Sequence, residues 1–314
     1  DPNTSFFTPE ESEQFSQDLS GSFGGVGAEI GSKEGQLIVI APLKNSPAEK
    51  AGLKASDKIL KVDGKSTEGL EVSEAVRLIR GEVGTKVTLT IIREGWQSPR
   101  DVEIARETIQ VPTVEWSMKE GNIIHLELSS FSANTPFAFF QAIAGGLRQG
   151  GDSLILDMRN NPGGFLEVSV NLAGWFVNRG DVVVSEKFTG GDERFFRAYG
   201  NEALKNFPVV VIMNEGSASA SEILAGALRV HNGTKIVGAK SFGKGTVQQL
   251  IDLSDGSTLK VTISHWLMPD GRLIEGNGLE PDFKVTVTDE DLMAGRDPQL
   301  NKAIEVLKQE MQRR

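Results

Sequence analysis

Residues 214–249 read NEGSASASEILAGALRVHNGTKIVGAKSFGKGTVQQ. The stretch follows an apolar run at 208–213 and contains a helix-like run at 223–228 and another apolar run at 235–239, which predicts strand, turn, helix and strand in succession. Ser217, Ser219 and Ser221 fall in the small-residue turn before the helix. The first N–H groups of a helix have no acceptor within it and can hold an anion. A serine there is a candidate nucleophile, with the N–H after it aimed at an oxyanion. Lys244, between Gly243 and Gly245, is the candidate base. The same residues also have an ordinary reading, because Ser-Ala repeats commonly cap and pack helices and a lysine between glycines is commonly an exposed turn.

A phosphate-binding loop competes for residues 238–244, GAKSFGK, which fit its first seven positions after a strand. The eighth position holds Gly245 where a hydroxyl should ligand magnesium, and a β-rich run at 246–253 follows where that motif needs a helix.

Outward from this stretch, the 314 residues suffice for roughly two domains. A hydrophobic content of 39% and a charged content of 24% are ordinary for a globular protein. The net charge of −10 argues against nucleic acid or an anionic membrane surface as the main partner. With no cysteine there is no disulfide, zinc–thiolate site or cysteine nucleophile, and no metal site or cofactor is expected. No run approaches a membrane span and the start, Asp-Pro-Asn-Thr, has no signal-peptide pattern, so a mature or trimmed form is expected. Membrane contact is then expected only through a missing N-terminal segment.

Residues 1–21 predict a short helix, with Thr8 as N-cap, Pro9 in the first turn and Glu11 as capping-box partner. Residues 22–105 predict a small β-rich domain with one helix beside a strand edge. Residues 106–314 predict a second domain, with a connector, βα units, a polar insertion at about 187–207, strands at 258–266 and 282–287, and a C-terminal helix at 298–312. In that helix Leu300, Ala303, Ile304, Leu307 and Met311 form a core-facing stripe. The fold class is thus α/β, with mixed α+β character.

The smaller domain resembles a PDZ domain, through SPAEKAGL at 46–53 and DKILKVDG at 57–64. PDZ domains add a peptide strand to a sheet edge and hold its carboxylate in a backbone nest. The resemblance assigns that nest to Gly25, Val26, Gly27 and Ala28. With DMRNNPGG at 157–164, NEGSASASEI at 214–223, FGKGTVQQ at 242–249 and MPDGRLIEGNGLEPD at 268–282, nearly the whole chain resembles the carboxyl-terminal processing peptidases, or tail-specific proteases.

This resemblance implies a Ser219/Lys244 dyad at the family's 25-residue spacing, supported by Gln248, with an oxyanion hole from the N–H of Ala220 and from Gly163 or Gly164. It implies a serine endopeptidase that binds protein tails with apolar C-termini and cleaves near them, working in a periplasm, cell envelope or thylakoid lumen with an adaptor or as a homo-oligomer. A PDZ scaffold with a silent peptidase-like domain is the alternative. Lysine ordinarily titrates near 10.4, so the base needs a desolvated site, expected here from a mostly apolar surround on a β-strand with Gln248 accepting a hydrogen bond. His125, His231 and His265 read as structural or exposed; His231 would lie about 18 Å along the helix from the serine. Val230 stands where some relatives carry an acid, so no acidic third member is expected. Asp157 and Arg159 read as loop-shaping. Arg80, ending the PDZ helix, is expected either to bridge the PDZ to the protease or to stabilise its helix C-terminus.

Overall fold

The computed structural model describes residues 4–12, 16, 21–33, 35–43, 45–188 and 190–313. The chain forms two compact units, Gly21–Val111 and a second made of Asp1–Ser20 with Pro112–Arg314. Beyond 105, the first unit extends to Val111 because strand β9 (Glu107–Gln110) pairs antiparallel with β2 (Ser22–Gly25).

The first unit is built on a sheet ordered β3 (Ala28–Lys33), β4 (Gln36–Pro42), β5 (Lys58–Val62), β7 (Lys86–Ile92) and β8 (Arg100–Ala105), with the short β6 (Lys65–Ser66) beside β5. Alternation along β7 buries Val87, Leu89 and Ile91 on one face. Helix α1 (Pro47–Lys50) starts where Ser46 Oγ accepts the amide of Glu49 at 3.2 Å. Helix α2 (Val72–Ile79) buries Ala75 and Ile79 and packs beside β3, an edge strand of the sheet. Asp57, wholly buried, is paired with Arg93 and ties the loop before β5 to the end of β7.

The second unit centres on a sheet ordered β10 (Val114–Lys119), β11 (Ile123–Leu128), β12 (Ser153–Asp157), β15 (Val209–Met213), β16 (Lys235–Gly238) and β19 (Phe283–Lys284). Only β10 runs antiparallel to its neighbour; the other pairs are parallel. The central strands β12 and β15 are apolar on both sides, as a sheet covered on both faces requires. Leu154, Leu156 and Val211 belong to the core shared with helices α3 (Thr135–Arg148), α4 (Leu166–Ala173) and α5 (Ala220–Asn232). Ile155, Val210 and Ile212 pack instead with Ala303, Val306 and Leu307 of the C-terminal helix α7 (Pro298–Arg313), which follows the short α6 (Asp289–Met293).

A second, antiparallel sheet joins β1 (Ser5–Phe7), β13 (Val182–Phe188), β14 (Glu193–Arg197), β17 (Thr246–Asp252) and β18 (Thr258–Leu267). Two expectations change here. The polar insertion contains β14, which turns back onto β13, and β1 lies on β18 although the N-terminus reads as helix alone. Residues 9–12 are helical behind Thr8, whose Oγ1 accepts the amide of Glu11; most of the remaining expected helix lies outside the described residues. The strand expected at 282–287 is reduced to β19. Among the described residues no helix is long and apolar enough to cross a membrane.

Candidate active site

Ser219 occupies the turn between β15 and α5 with φ 53° and ψ −114°, a conformation rare for a residue with a Cβ. The flanking serines are committed elsewhere. Ser217 Oγ donates to the carbonyl of Met158 at 2.8 Å and Ser221 Oγ to that of Asn161 at 3.0 Å, and both residues are fully buried. Ser219 alone of the three lines a cleft of about 750 Å³, together with Ala220, Gly163, Gly164, Lys244 and Gln248. Aromatic and apolar side chains complete the wall, among them Phe131, Phe165, Phe196, Ile223 and Trp266.

Buried Asn161 joins the loop at 159–164 to the serine turn. Its Nδ2 donates to the carbonyl of Leu128 at 2.7 Å, and its own carbonyl accepts the amide of Ala218 at 2.9 Å. Its Oδ1 takes the amide of Gly163 at 2.9 Å, which already has an acceptor in this structure. Ala220 is the first residue of α5, so its amide has no acceptor within the helix. Gly163 has φ 103°, and a Cβ there would stand 2.8 Å from the Ser219 Cβ and 2.9 Å from the Ala218 carbonyl oxygen. Gly164 is as confined, since its Cβ would stand 2.3 Å from the Phe131 carbonyl oxygen.

Lys244 does not lie on a strand. It precedes β17, in the irregular segment 239–245, where the amides of Gly243 and Lys244 both donate to Glu222, at 2.7 and 3.0 Å. A Cβ on Gly245 would come 2.1 Å from the amide nitrogen of Glu275, whose carboxylate accepts the Gly245 amide at 2.6 Å. Burial pushes the Lys244 amine below its ordinary value, the charge of Lys260 pushes the same way, and Glu275 opposes them. Gln248 donates from Nε2 to Thr246 Oγ1 at 2.6 Å, so its amide end is tied to its own strand rather than to Lys244.

Motif reading missed Glu222. It stands three residues after Ser219 in the S-x-x-E pattern of a capping box, and its Oε2 accepts the Ser219 amide at 2.8 Å. Lys260 was missed because β18 brings it to the cleft from a distant strand.

The remaining expected residues have other surroundings. His125 Nε2 lies 3.2 Å from Asp157 Oδ2, and His231 Nε2 lies 2.7 Å from the carbonyl oxygen of Val182. Burial disfavours the charge on Asp157, but bonds from His125 and Arg159 outweigh it and hold the carboxyl below its ordinary range. Arg159 spans Asp157 and Asp297, clamping the loop onto the start of α7. In the first unit, Arg80 is the C-cap of α2 and its guanidinium lies 3.9 Å from the centroid of the Phe23 ring. Gly25 ends β2, and the carbonyls of Val26 and Gly27 accept the amides of Ala48 and Leu43 at 2.8 and 2.9 Å. Gly27 has φ 72°, and Ala28 opens edge strand β3. Among the described residues no cluster of side chains is suited to a metal ion.

Comparison with known proteins agrees with the motifs. Residues 122–285 match the model of peptidase family S41, and residues 38–93 match that of a PDZ domain. The chain is 39% identical over 289 residues to the carboxy-terminal processing protease CtpA of Bacillus subtilis, covering 92% of this chain and 62% of that protein. It is 42% identical over 290 residues to a probable CtpA-like serine protease of Staphylococcus epidermidis, covering 91% of this chain and 58% of that one. Among solved structures it is similar to a photosystem II D1 C-terminal processing protease, with 33% identity, a TM-score of 0.56, and coverage of 91% of this chain and 78% of that one. The chain belongs to peptidase family S41 and carries a PDZ domain. It spans about three fifths of the length of these two curated relatives.

The confinement of Gly163 yields a test. Gly163→Ala forces a side chain into backbone with φ 103° against the serine turn and is expected to lower unfolding stability by about 2 kcal/mol. A urea titration measures this; a loss below about 0.5 kcal/mol would show that the turn yields easily.

Proposed function

We propose that this protein is a serine endopeptidase that captures the C-terminal tail of a protein substrate on its PDZ unit and cleaves peptide bonds near that terminus. One observation carries the proposal: Ser219, in its strained strand-to-helix turn, and Lys244, with its amine pushed toward the neutral form, line the same cleft. The serine-protease names of the relatives support the same reaction class.

Neutral Lys244 takes the proton from Ser219 Oγ as the oxygen attacks a peptide carbonyl carbon. Negative charge develops on the carbonyl oxygen, where the N–H of Ala220 and a glycine amide of the 163–164 pair stabilise it. With the Gly163 amide bonded to Asn161, Gly164 is the better partner unless Gly163 exchanges acceptors. The tetrahedral intermediate collapses, the leaving amine receives the proton from Lys244, and the acyl group remains on Ser219. Lys244 then deprotonates a water that attacks the ester, releasing the carboxylic acid and restoring the serine. Gln248 lines the same cleft; its Nε2 is tied to Thr246, so the part assigned to it is to accept from Lys244 through Oε1.

The apolar wall of Phe131, Phe165, Phe196 and Ile223 suits an apolar side chain beside the scissile bond. On the PDZ unit the edge of β3, with α2 alongside, would take the tail as an added strand, its carboxylate held at Gly25–Ala28. The likeness to carboxy-terminal processing proteases supports work in an extracytoplasmic compartment, as an oligomer or with an adaptor.

Cleavage of an unstructured protein with an apolar C-terminus is expected to fall about 10³-fold or more in both Ser219→Ala and Lys244→Ala; near wild-type activity in either variant rejects the dyad. The pH dependence has a definite sign. Removing the Lys260 cation stabilises the protonated form of Lys244 and raises its pKa, so in Lys260→Met the acid limb of kcat/KM should move to higher pH. A limb that stays in place or moves to lower pH contradicts the assignment of that limb to Lys244.

A further inference from the structure

Glu222 is an acid without exposed surface at the third position of α5. Its Oε1 accepts Ser241 Oγ at 2.5 Å and the Gly243 amide at 2.7 Å; its Oε2 accepts the Ser219 amide at 2.8 Å and the Lys244 amide at 3.0 Å. A carboxylate offers about four lone-pair sites, and here four donors meet them, two at each oxygen. The arrangement favours the ionised form: a proton on Oε2 would face two main-chain amides, and one on Oε1 would have a partner only if the Ser241 hydroxyl rotated to accept it.

A helix cap requires only the Ser219 amide. The other three donors come from residues 19 to 22 positions further along the chain, in the segment that carries Lys244. That segment is held from its far side as well. Ser241 Oγ accepts the amide of Leu279 at 2.7 Å, and the Gly245 amide reaches Glu275. One buried carboxylate is therefore bonded directly to the main chain of Ser219 and of Lys244.

We infer that Glu222 is the positioning residue of the reacting pair: resting on the assignment of Ser219 and Lys244, its ionised carboxylate sets the distance between hydroxyl and amine by holding both backbones. It acts through those residues and does not touch the substrate. Glutamine cannot replace it. Turned one way, the NH₂ group faces the amides of Ser219 and Lys244; turned the other, it faces Gly243, and only the Ser241 hydroxyl can rotate to accept. At least one segment must then move.

The test uses the full chain with Glu222→Gln and, as the milder variant, Ser241→Ala, which keeps the carboxylate and removes one of its donors together with the acceptor of the Leu279 amide. Thermal melting reports folding, and steady-state cleavage of an unstructured protein with an apolar C-terminus gives kcat and KM. The final extent of labelling by a fluorophosphonate reports the fraction of competent molecules. Glu222→Gln is expected to lower kcat about tenfold or more with KM within about threefold, and to slow labelling in parallel while its final extent stays complete. Ser241→Ala is expected to lower kcat by about threefold in the same pattern.

Wild-type kcat in folded Glu222→Gln overturns the inference, as does failure of Glu222→Gln to fold together with wild-type kcat in Ser241→Ala. A fall in kcat matched by an equal fall in final labelling also overturns it, because it reports lost folded protein. Failure of the dyad itself looks different: Ser219→Ala or Lys244→Ala would keep the wild-type rate.

Discussion

A hydroxyl and an amine on residues 219 and 244 can exchange a proton only if two chain segments keep a separation of about 3 Å between the reacting atoms. The serine turn follows the end of a strand, and the lysine lies in an irregular stretch between two glycines. The Glu222 carboxylate joins them, accepting three main-chain amides and one hydroxyl inside the protein. Burial pushes this carboxyl toward its protonated form, opposed by the bonds from Ser241, Gly243, Ser219 and Lys244. The net effect is a carboxyl raised above its ordinary value, and the four donors are what favour its ionised form, so the geometry of the two segments and the ionisation of the acid depend on each other.

The parallel sheet supplies the rest of the framework. Strands β12 and β15 are neighbours, and their C-terminal ends open into the 159–164 loop and the serine turn. Two serine hydroxyls, the Ala218 amide and the Asn161 side chain stitch these loops together. The strained backbone of Ser219 is held by these bonds on one side and by α5 on the other, as strain at a reacting residue requires. From the opposite direction, the β17–β18 hairpin delivers Lys260 and Gln248 to the cleft and Trp266 to its wall.

Much of this was legible in the sequence where the signal is local. The apolar runs around residues 210 and 237, with small residues between a strand and a helix, predicted the β15–α5–β16 unit, and the PDZ motifs predicted the first unit. What escaped depends on partners remote in the chain. Strand β1 is three residues of Ser-Phe-Phe whose strand character comes from pairing with residues 258–260. Strand β14 lies in a stretch that is polar and largely exposed, with little periodic signal. Lys244 read as strand because its neighbours are β-prone, yet the carboxylates of Glu222 and Glu275 take the amides a ladder would have used. The serine motif drew attention to Ser219 and not to the glutamate three places on, whose donors beyond the Ser219 amide cannot be inferred from spacing.

The proposed reaction has Ser219 acylated because Lys244, its amine pushed toward the neutral form by burial, removes its proton. Mapping a fluorophosphonate adduct by peptide mass spectrometry, in the native chain and in Lys244→Ala across a range of pH, tests this most directly. The adduct should sit on Ser219, form faster as pH rises through an apparent pKa below that of ordinary lysine, and form at least about a hundredfold more slowly in Lys244→Ala. An adduct on Ser217 or Ser221, or equal rates with and without Lys244, would contradict the account.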